Sequence, residues 1–130
     1  MTVIDKLQAK GLGTALVLNA PKEAAGMVKE IGSAMKLATV RGKGSYDLVL
    51  AFVHDSAEFA SALEKVRVIM IDAARLWFAY PKKSSKPGET DLGADSGWTT
   101  MKTLGYSPLK RTSLDADWTA LRFVHNSAKD

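Results

Sequence analysis

The chain has 130 residues, of which 46% are hydrophobic, and this is enough to form one domain with a sizeable apolar core. It contains no cysteine, which excludes disulfide bonds, thiolate metal ligands and a cysteine nucleophile. The net charge of +4 comes from basic residues spread along the chain, a pattern that favours an anionic partner and does not indicate nucleic acid. The amino terminus lacks the plan of a secretory signal and no apolar run is long enough to span a bilayer, so we expect a cytoplasmic protein with no membrane contact.

The amino-terminal third of the sequence predicts two helices and two strands. A capping-box spacing predicts a short helix over residues 3–9, and the continuous apolar run at residues 14–20 predicts a strand buried on both faces. Pro21 suits the first turn of a second helix, which we expect to end at Gly32. Residues 36–40 predict a weak strand. The apolar face of the second helix consists of Ala24, Met27, Val28 and Ile31.

The rest of the chain continues this alternation. Residues 46–53 are the strongest strand in the sequence, and Asp55 with Glu58 has the spacing of a second capping box. Residues 75–80 form the next strand. Between these two strands we expect a helix that buries Phe59, Leu63 and Val66. A last helix has Trp98, Met101 and Leu104 on one face and ends at Gly105. Two β segments at 109–114 and 118–124, joined by the turn Asp115-Ala116-Asp117, follow it.

Alternating strands and helices predict an α/β fold with helices on both faces of a mainly parallel sheet, which is a three-layer sandwich. We expect strands 14–20, 46–53 and 75–80 to be neighbours, with strand 118–124 antiparallel beside the last of them. The terminal β pair then forms an antiparallel hairpin at one edge. This Rossmann-like arrangement is similar to a class I methyltransferase core shortened by one strand–helix unit.

Two positions test whether such a fold holds its usual cofactor. A dinucleotide or adenosyl cofactor requires a glycine-rich loop after the first strand and an acidic residue after the second strand to hold the ribose. The sequence has Asn19-Ala20-Pro21 at the first position and Val40-Arg41 at the second. We therefore expect no cofactor, and in particular no tight binding of S-adenosylmethionine or of a nicotinamide dinucleotide.

Several segments together resemble a group of small bacterial proteins of unknown function. They are VLNAP near the amino terminus, YDLVLAFV, LWFAYPKKSSK, TDL and, near the carboxyl terminus, DADWTALRF. The most specific part is Pro-Lys-Lys-Ser-Ser followed by Thr-Asp-Leu, and the resemblance extends from Leu16 to Phe123. It implies an α/β sandwich in the bacterial cytosol and assigns no reaction.

The candidate site follows strand 75–80, at the carboxyl end where open α/β sheets place their ligands. Pro81 lacks an amide hydrogen and ends the strand, and the segment after it offers cations, hydroxyls and backbone amides that suit phosphate or carboxylate. His54 follows the neighbouring strand and has the side chain of a general acid or base near neutral pH. The predicted ligand-binding residues are His54, Lys82, Lys83, Ser84, Ser85 and Asp91.

These residues also have structural interpretations. The lysines can be solvated and paired with nearby carboxylates, and His54 can be a loop residue beside an Asp55 helix cap. Trp98 and Trp118 flank the segment in sequence, and they either wall a small pocket or cover the core. A Ser–His–Asp triad would lack its Gly-x-Ser-x-Gly elbow, and the two histidines do not have metal-ligand spacing, so we expect neither a triad nor a metal site.

Two functional hypotheses of different classes follow. The preferred one is a non-catalytic domain that binds a small anionic ligand or a protein partner through the lysines and serines after Pro81. The alternative is a small enzyme, a degenerate transferase or hydrolase, in which His54 or Asp91 acts as acid or base on an anionic substrate. The sequence carries no indication of the oligomeric state.

Overall fold

A computed structural model of the chain describes residues 2–39, 46–67, 69–70, 75–82 and 98–128. The strands in these ranges are β1 (Thr14–Leu18), β2 (Lys36–Ala38), β3 (Leu48–Phe52), β4 (Arg75–Pro81), β5 (Tyr106–Ser113) and β6 (Trp118–His125). The α-helices are α1 (Val3–Lys6), α2 (Ala25–Ala34), α3 (Ser56–Val66) and α4 (Thr99–Thr103), with short 3₁₀ turns at Lys22–Ala24 and Asn126–Ala128.

The strands form one six-stranded sheet in the order β2-β1-β3-β4-β6-β5. The pairs β2–β1, β1–β3 and β3–β4 are parallel, whereas β6 runs antiparallel to both β4 and β5. This confirms the predicted mixed α/β sheet with its antiparallel hairpin at one edge. The chain leaves β1 for β2 on one side and returns to β3 on the other side, so the strand order reverses between β1 and β3.

Helices cover both faces of the sheet, as the three-layer prediction requires. Strand β4 shows the division, because Trp77 and Ala79 belong to one apolar cluster while Phe78 and Tyr80 belong to the other. The Trp77 face packs against residues of α1 and α2, and the Phe78 face packs against α3 and α4. Every residue of β3 is buried, as expected for a central strand covered on both sides.

The local signals at the helix starts are confirmed. Thr2 and Asp5 form a complete capping box at the start of α1. Asp55 caps α3 through its Oδ1, which accepts the Glu58 N–H at 2.9 Å. In a capping box, the Glu58 carboxylate would accept the backbone N–H of the cap residue, Asp55. Here it accepts the backbone N–H of the preceding residue, His54, at 3.0 Å.

Several element ends differ from the prediction. Helix α2 continues through Gly32 to Ala34, so the expected stop at Gly32 is wrong. A Cβ at position 32 would lie 3.3 Å from Cδ2 of Leu37, which indicates that this glycine lets the helix approach β2 closely. Strand β1 ends at Leu18 because Asn19 turns the backbone into the left-handed region, with φ of 59°. The predicted turn at residues 41–45 lies outside the described residues.

Within the described ranges, no helix combines the length and the apolar character needed to cross a membrane.

Candidate functional site

The strand order of the sheet reverses between β1 and β3. Ligands of open α/β sheets bind beyond the carboxyl ends of the strands, where the strand order reverses, and here that point lies between β1 and β3. Asn19 follows β1, His54 follows β3 after one further residue, and Lys82 follows β4 directly. The predicted residues His54 and Lys82 therefore lie at the same edge of the sheet.

His54 lies against the first residue of β6. Its imidazole meets the indole of Trp118 edge to face, with ring centroids 5.8 Å apart and planes at 89°. The side chain is half-buried, and its backbone N–H is held by Glu58 as described above. The prediction that Asp55 caps the helix is confirmed. His54 is more than a polar loop residue, because its ring packs on Trp118.

Trp118 is a fully buried aromatic residue at this edge. Only 1% of its surface is exposed, and its indole also packs edge to face on Phe52 with centroids 5.2 Å apart. Its Nε1–H is buried and has no hydrogen-bond acceptor among the described residues. A buried donor without an acceptor costs about 1–3 kcal/mol, so this N–H is a group that the fold itself does not use. The sequence signal for it is weak, since a tryptophan at a strand start usually belongs to the core.

Lys82 is part of the β5–β6 hairpin. Its ammonium donates hydrogen bonds to Oγ of Ser113 at 2.5 Å and to the carbonyl of Asp115 at 2.6 Å. Its backbone N–H donates to the carbonyl of Asp117 at 2.8 Å. The sequence interpretation treated this lysine as a solvated cation or a ligand group, but the structure gives it hydrogen bonds that hold the end of β4 against the turn before β6.

Three carboxylates at this edge are occupied by backbone amides. Asp55 and Glu58 accept the N–H groups at the start of α3, and Oδ1 of Asp115 accepts the N–H groups of Asp117 and Trp118, each at 2.8 Å. Hydrogen bonds from backbone amides to a carboxylate are charge-assisted, and these three hold the start of α3 and the turn before β6 in place. Among the buried side-chain atoms of the described residues at this edge, the one without a hydrogen-bond partner is a donor, the Trp118 indole N–H.

Four of the six predicted site residues, Lys83, Ser84, Ser85 and Asp91, lie outside the described residues. The two flanking tryptophans do not wall one pocket, because Trp98 packs in the cluster on the Phe78 face and Trp118 in the cluster on the Trp77 face. In the described part of the chain, no group of three histidine, aspartate or glutamate side chains has metal-binding geometry.

The loop after β1 does not fit an adenosyl or dinucleotide cofactor. Asn19 adopts the left-handed conformation that a glycine usually provides there, but Asn19, Ala20 and Pro21 all carry a Cβ, and Pro21 has no N–H to offer a phosphate. A cavity of about 710 Å³ lies beside this loop, and its lining contains two lysines and no carboxylate. Residues 39–45, which follow β2, also contain no acidic residue that could hold a ribose.

Comparisons with known proteins support the fold. The chain is similar in structure to the tRNA methyltransferase TrmK of B. subtilis, with a TM-score of 0.56 and 12% sequence identity over 95% of this chain and 63% of that protein. It also aligns with a protein from Sulfolobus solfataricus classed as a type 11 methyltransferase, with a TM-score of 0.48 and 9% identity over 98% of this chain and 91% of that one. No family model matches the chain, and no curated protein matches it by sequence.

The TrmK likeness shows a methyltransferase-like Rossmann fold, at an identity too low to carry an activity. The chain spans 63% of the length of TrmK.

Proposed function

We propose that the protein binds a small anionic ligand at the carboxyl edge of its sheet, and that it does so without transferring a methyl group from S-adenosylmethionine. The observation that carries the proposal is the buried Trp118 Nε1–H, which has no acceptor among the described residues and belongs to the ring on which His54 packs. A ligand oxygen that accepted this hydrogen bond would recover part of the cost of burying the donor.

The charge of the ligand follows from the groups around this donor. One oxygen of each of the carboxylates of Asp55, Glu58 and Asp115 already accepts backbone N–H groups within the fold. By sequence, two more lysines and two serines follow Lys82 within four residues, which suits an anion. Entry of a ligand requires a movement of the residues that cover the indole N–H, because this group is not in contact with solvent.

Methyl transfer is less well supported. TrmK is a methyltransferase that acts on tRNA, but the cofactor positions of this chain, described above, lack both the glycine loop and the acidic residue. A second candidate function is acid–base catalysis by His54. The observation that favours it is the position of His54 after β3, one of the two strands between which the strand order reverses.

A ligand screen tests the proposal. Inorganic phosphate, sugar phosphates, nucleotides, small carboxylates and S-adenosylmethionine are compared by thermal shift, and compounds that raise the melting temperature are titrated by calorimetry. We expect at least one phosphate or carboxylate to bind and S-adenosylmethionine to have no low-micromolar affinity. Low-micromolar binding of S-adenosylmethionine, or a screen without any anion that stabilises the protein, would contradict the proposal.

A pair of tryptophan variants then locates the site. Trp118→Phe removes the indole N–H and should weaken the confirmed anion by about five-fold, the value of roughly one hydrogen bond. Trp77→Phe is the matched control, because the Trp77 N–H is already bonded to the carbonyl of Leu7 at 2.9 Å. Equal loss of affinity in both variants would mean that the effect comes from general loosening of this face. His54→Gln distinguishes binding from acid–base catalysis. Glutamine cannot act as an acid or base, so this change should abolish catalysis and affect binding far less.

A further inference from the structure

A second cavity lies at the opposite edge of the sheet, between α4 and β5. Its volume is about 360 Å³, which is the lower end of the range for small-molecule sites. One wall is Phe123 of β6, which pairs with Leu76 at the amino end of β4, whereas Trp118 pairs with Pro81 at the carboxyl end. Five residue steps along β6, from Trp118 to Phe123, separate these two pairs by about 17 Å along the strand.

The floor of this cavity is aromatic and rigid. Trp98, Tyr106 and Phe123 line it, and their exposed fractions are 8%, 6% and 3%. The Trp98 ring is held by several neighbours, with centroids 4.8 Å from Phe59 and 5.4 Å from Phe123. Rings fixed in this way offer a preformed apolar surface on which another ring can pack edge to face or offset.

The rim of the cavity carries a cation. Lys102 lies one helical turn after Thr99 on α4, and both residues line the cavity. Lys102 is exposed, and among the described residues no carboxylate lies within 4.0 Å of its ammonium and no hydrogen-bond acceptor contacts it. The described acidic residues of this part of the chain, Asp115 and Asp117, lie in the turn at the far end of the β5–β6 hairpin.

We propose that this cavity binds a planar aromatic anion, with the ring against Trp98, Tyr106 and Phe123 and the anionic group at Lys102. An apolar floor with one converging cation at its rim is the arrangement by which small sites hold an amphipathic ligand in one orientation. Lysine suits a carboxylate or a phosphate equally, as a compact point charge with three donors. An aromatic carboxylate and a nucleoside monophosphate therefore share the required chemistry, and the test includes one of each.

Nuclear magnetic resonance of the three indole N–H groups tests the proposal directly. Trp98 packs on the Phe78 face of the sheet and Trp77 and Trp118 pack on the other face, so the three signals report different sites. We expect 2-naphthoate, or adenosine 5′-monophosphate, to shift the Trp98 signal in a saturable way and to leave the other two unchanged. The neutral analogue 2-naphthamide should bind about five-fold more weakly than 2-naphthoate, because it lacks the charge that Lys102 recognises.

A pair of lysine variants provides the matched control. Lys102→Gln should weaken the binding of 2-naphthoate about five-fold. Lys110→Gln removes the same charge from β5, at a position that pairs with Arg122, and should change the affinity less than about two-fold. Both lysines are exposed, so both variants should fold. No saturable shift of the Trp98 signal with either probe, equal binding of naphthamide, or equal loss in the two variants would overturn the proposal. A shift of the Trp118 signal alone would overturn it as well, and would instead support the site at the carboxyl edge.

Discussion

The two edges of the sheet differ in how completely their side-chain donors are used. At the amino edge, the segment after α1 accepts hydrogen bonds from two side chains of β4: Trp77 Nε1 donates to the Leu7 carbonyl at 2.9 Å, and Arg75 Nε donates to the Gln8 carbonyl at 2.8 Å. At the carboxyl edge, the equally buried Trp118 has no acceptor among the described residues. The Trp77 indole N–H is therefore used by the fold, whereas the Trp118 indole N–H is a donor that a ligand can use.

Arg122 qualifies this comparison at the amino edge. Its NH1 donates to Oε1 of Gln8 at 2.8 Å, but its buried Nε has no acceptor among the described residues. Burial, and then the nearby positive charge of Arg75, lower the pKa of Arg122 below its ordinary value. The guanidinium is therefore held at a cost in repulsion, in contrast to the Trp77 hydrogen bond beside it.

The largest expected effect tests the tryptophan pair. Trp77→Phe should lower the free energy of unfolding by about 2–3 kcal/mol, because it leaves a small cavity and removes the donor from the buried Leu7 carbonyl. Trp118→Phe should lower it by about 1–2 kcal/mol, since only the cavity is created. Urea unfolding of both variants measures the difference. Equal losses would contradict the claim that the two indole N–H groups differ in their use.

The next effect concerns the hairpin anchor at the carboxyl edge. Lys82→Met keeps the aliphatic stem and removes the ammonium that holds Ser113 and the Asp115 carbonyl, so we expect a loss of about 1–2 kcal/mol in unfolding free energy. Lys110→Met is the control on an exposed part of the neighbouring strand and should change stability by less than about 0.5 kcal/mol. An effect of Lys82→Met as small as that of the control would contradict the anchoring role of this lysine.

A somewhat smaller effect is expected at the start of α3. Asp55→Ala removes the acceptor of the Glu58 N–H and should cost about 1 kcal/mol, while Asp55→Asn keeps an acceptor and should cost much less. Because His54 lies next to this cap, amide hydrogen exchange of residues 54–58 should rise in Asp55→Ala. Unchanged exchange would show that the Trp118 contact alone holds His54 in place.

The smallest effect concerns the two arginines. Salt screens the repulsion between Arg75 and Arg122, so raising the salt concentration from about 0.05 M to about 0.5 M should raise the melting temperature slightly. In Arg122→Met, where the repulsion is absent, this increase should be smaller. Thermal unfolding of both proteins at the two salt concentrations provides the measurement. An equal increase in both would show that the salt effect arises elsewhere on the surface.

The sequence by itself determined the elements whose cause is local. The apolar runs identify the strands, and the helix starts at Thr2 and Asp55 depend on hydrogen bonds between residues three positions apart. The strand neighbours followed as well, because crossovers of helix length allow few arrangements of a parallel sheet. The error at Gly32 has a tertiary cause, since the close approach to Leu37 depends on how α2 lies on β2.

The tertiary structure alone decided what the described site residues do. The sequence placed His54 and Lys82 at one edge, but the Lys82 ammonium contacts a carbonyl 33 residues away, and His54 contacts Trp118 from across β4. Neither contact has a local signature, because both depend on the register by which β6 pairs with β4 and sets Trp118 opposite Pro81. The same register leaves the Trp118 N–H buried without an acceptor among the described residues, a property that arises only when distant segments pack together.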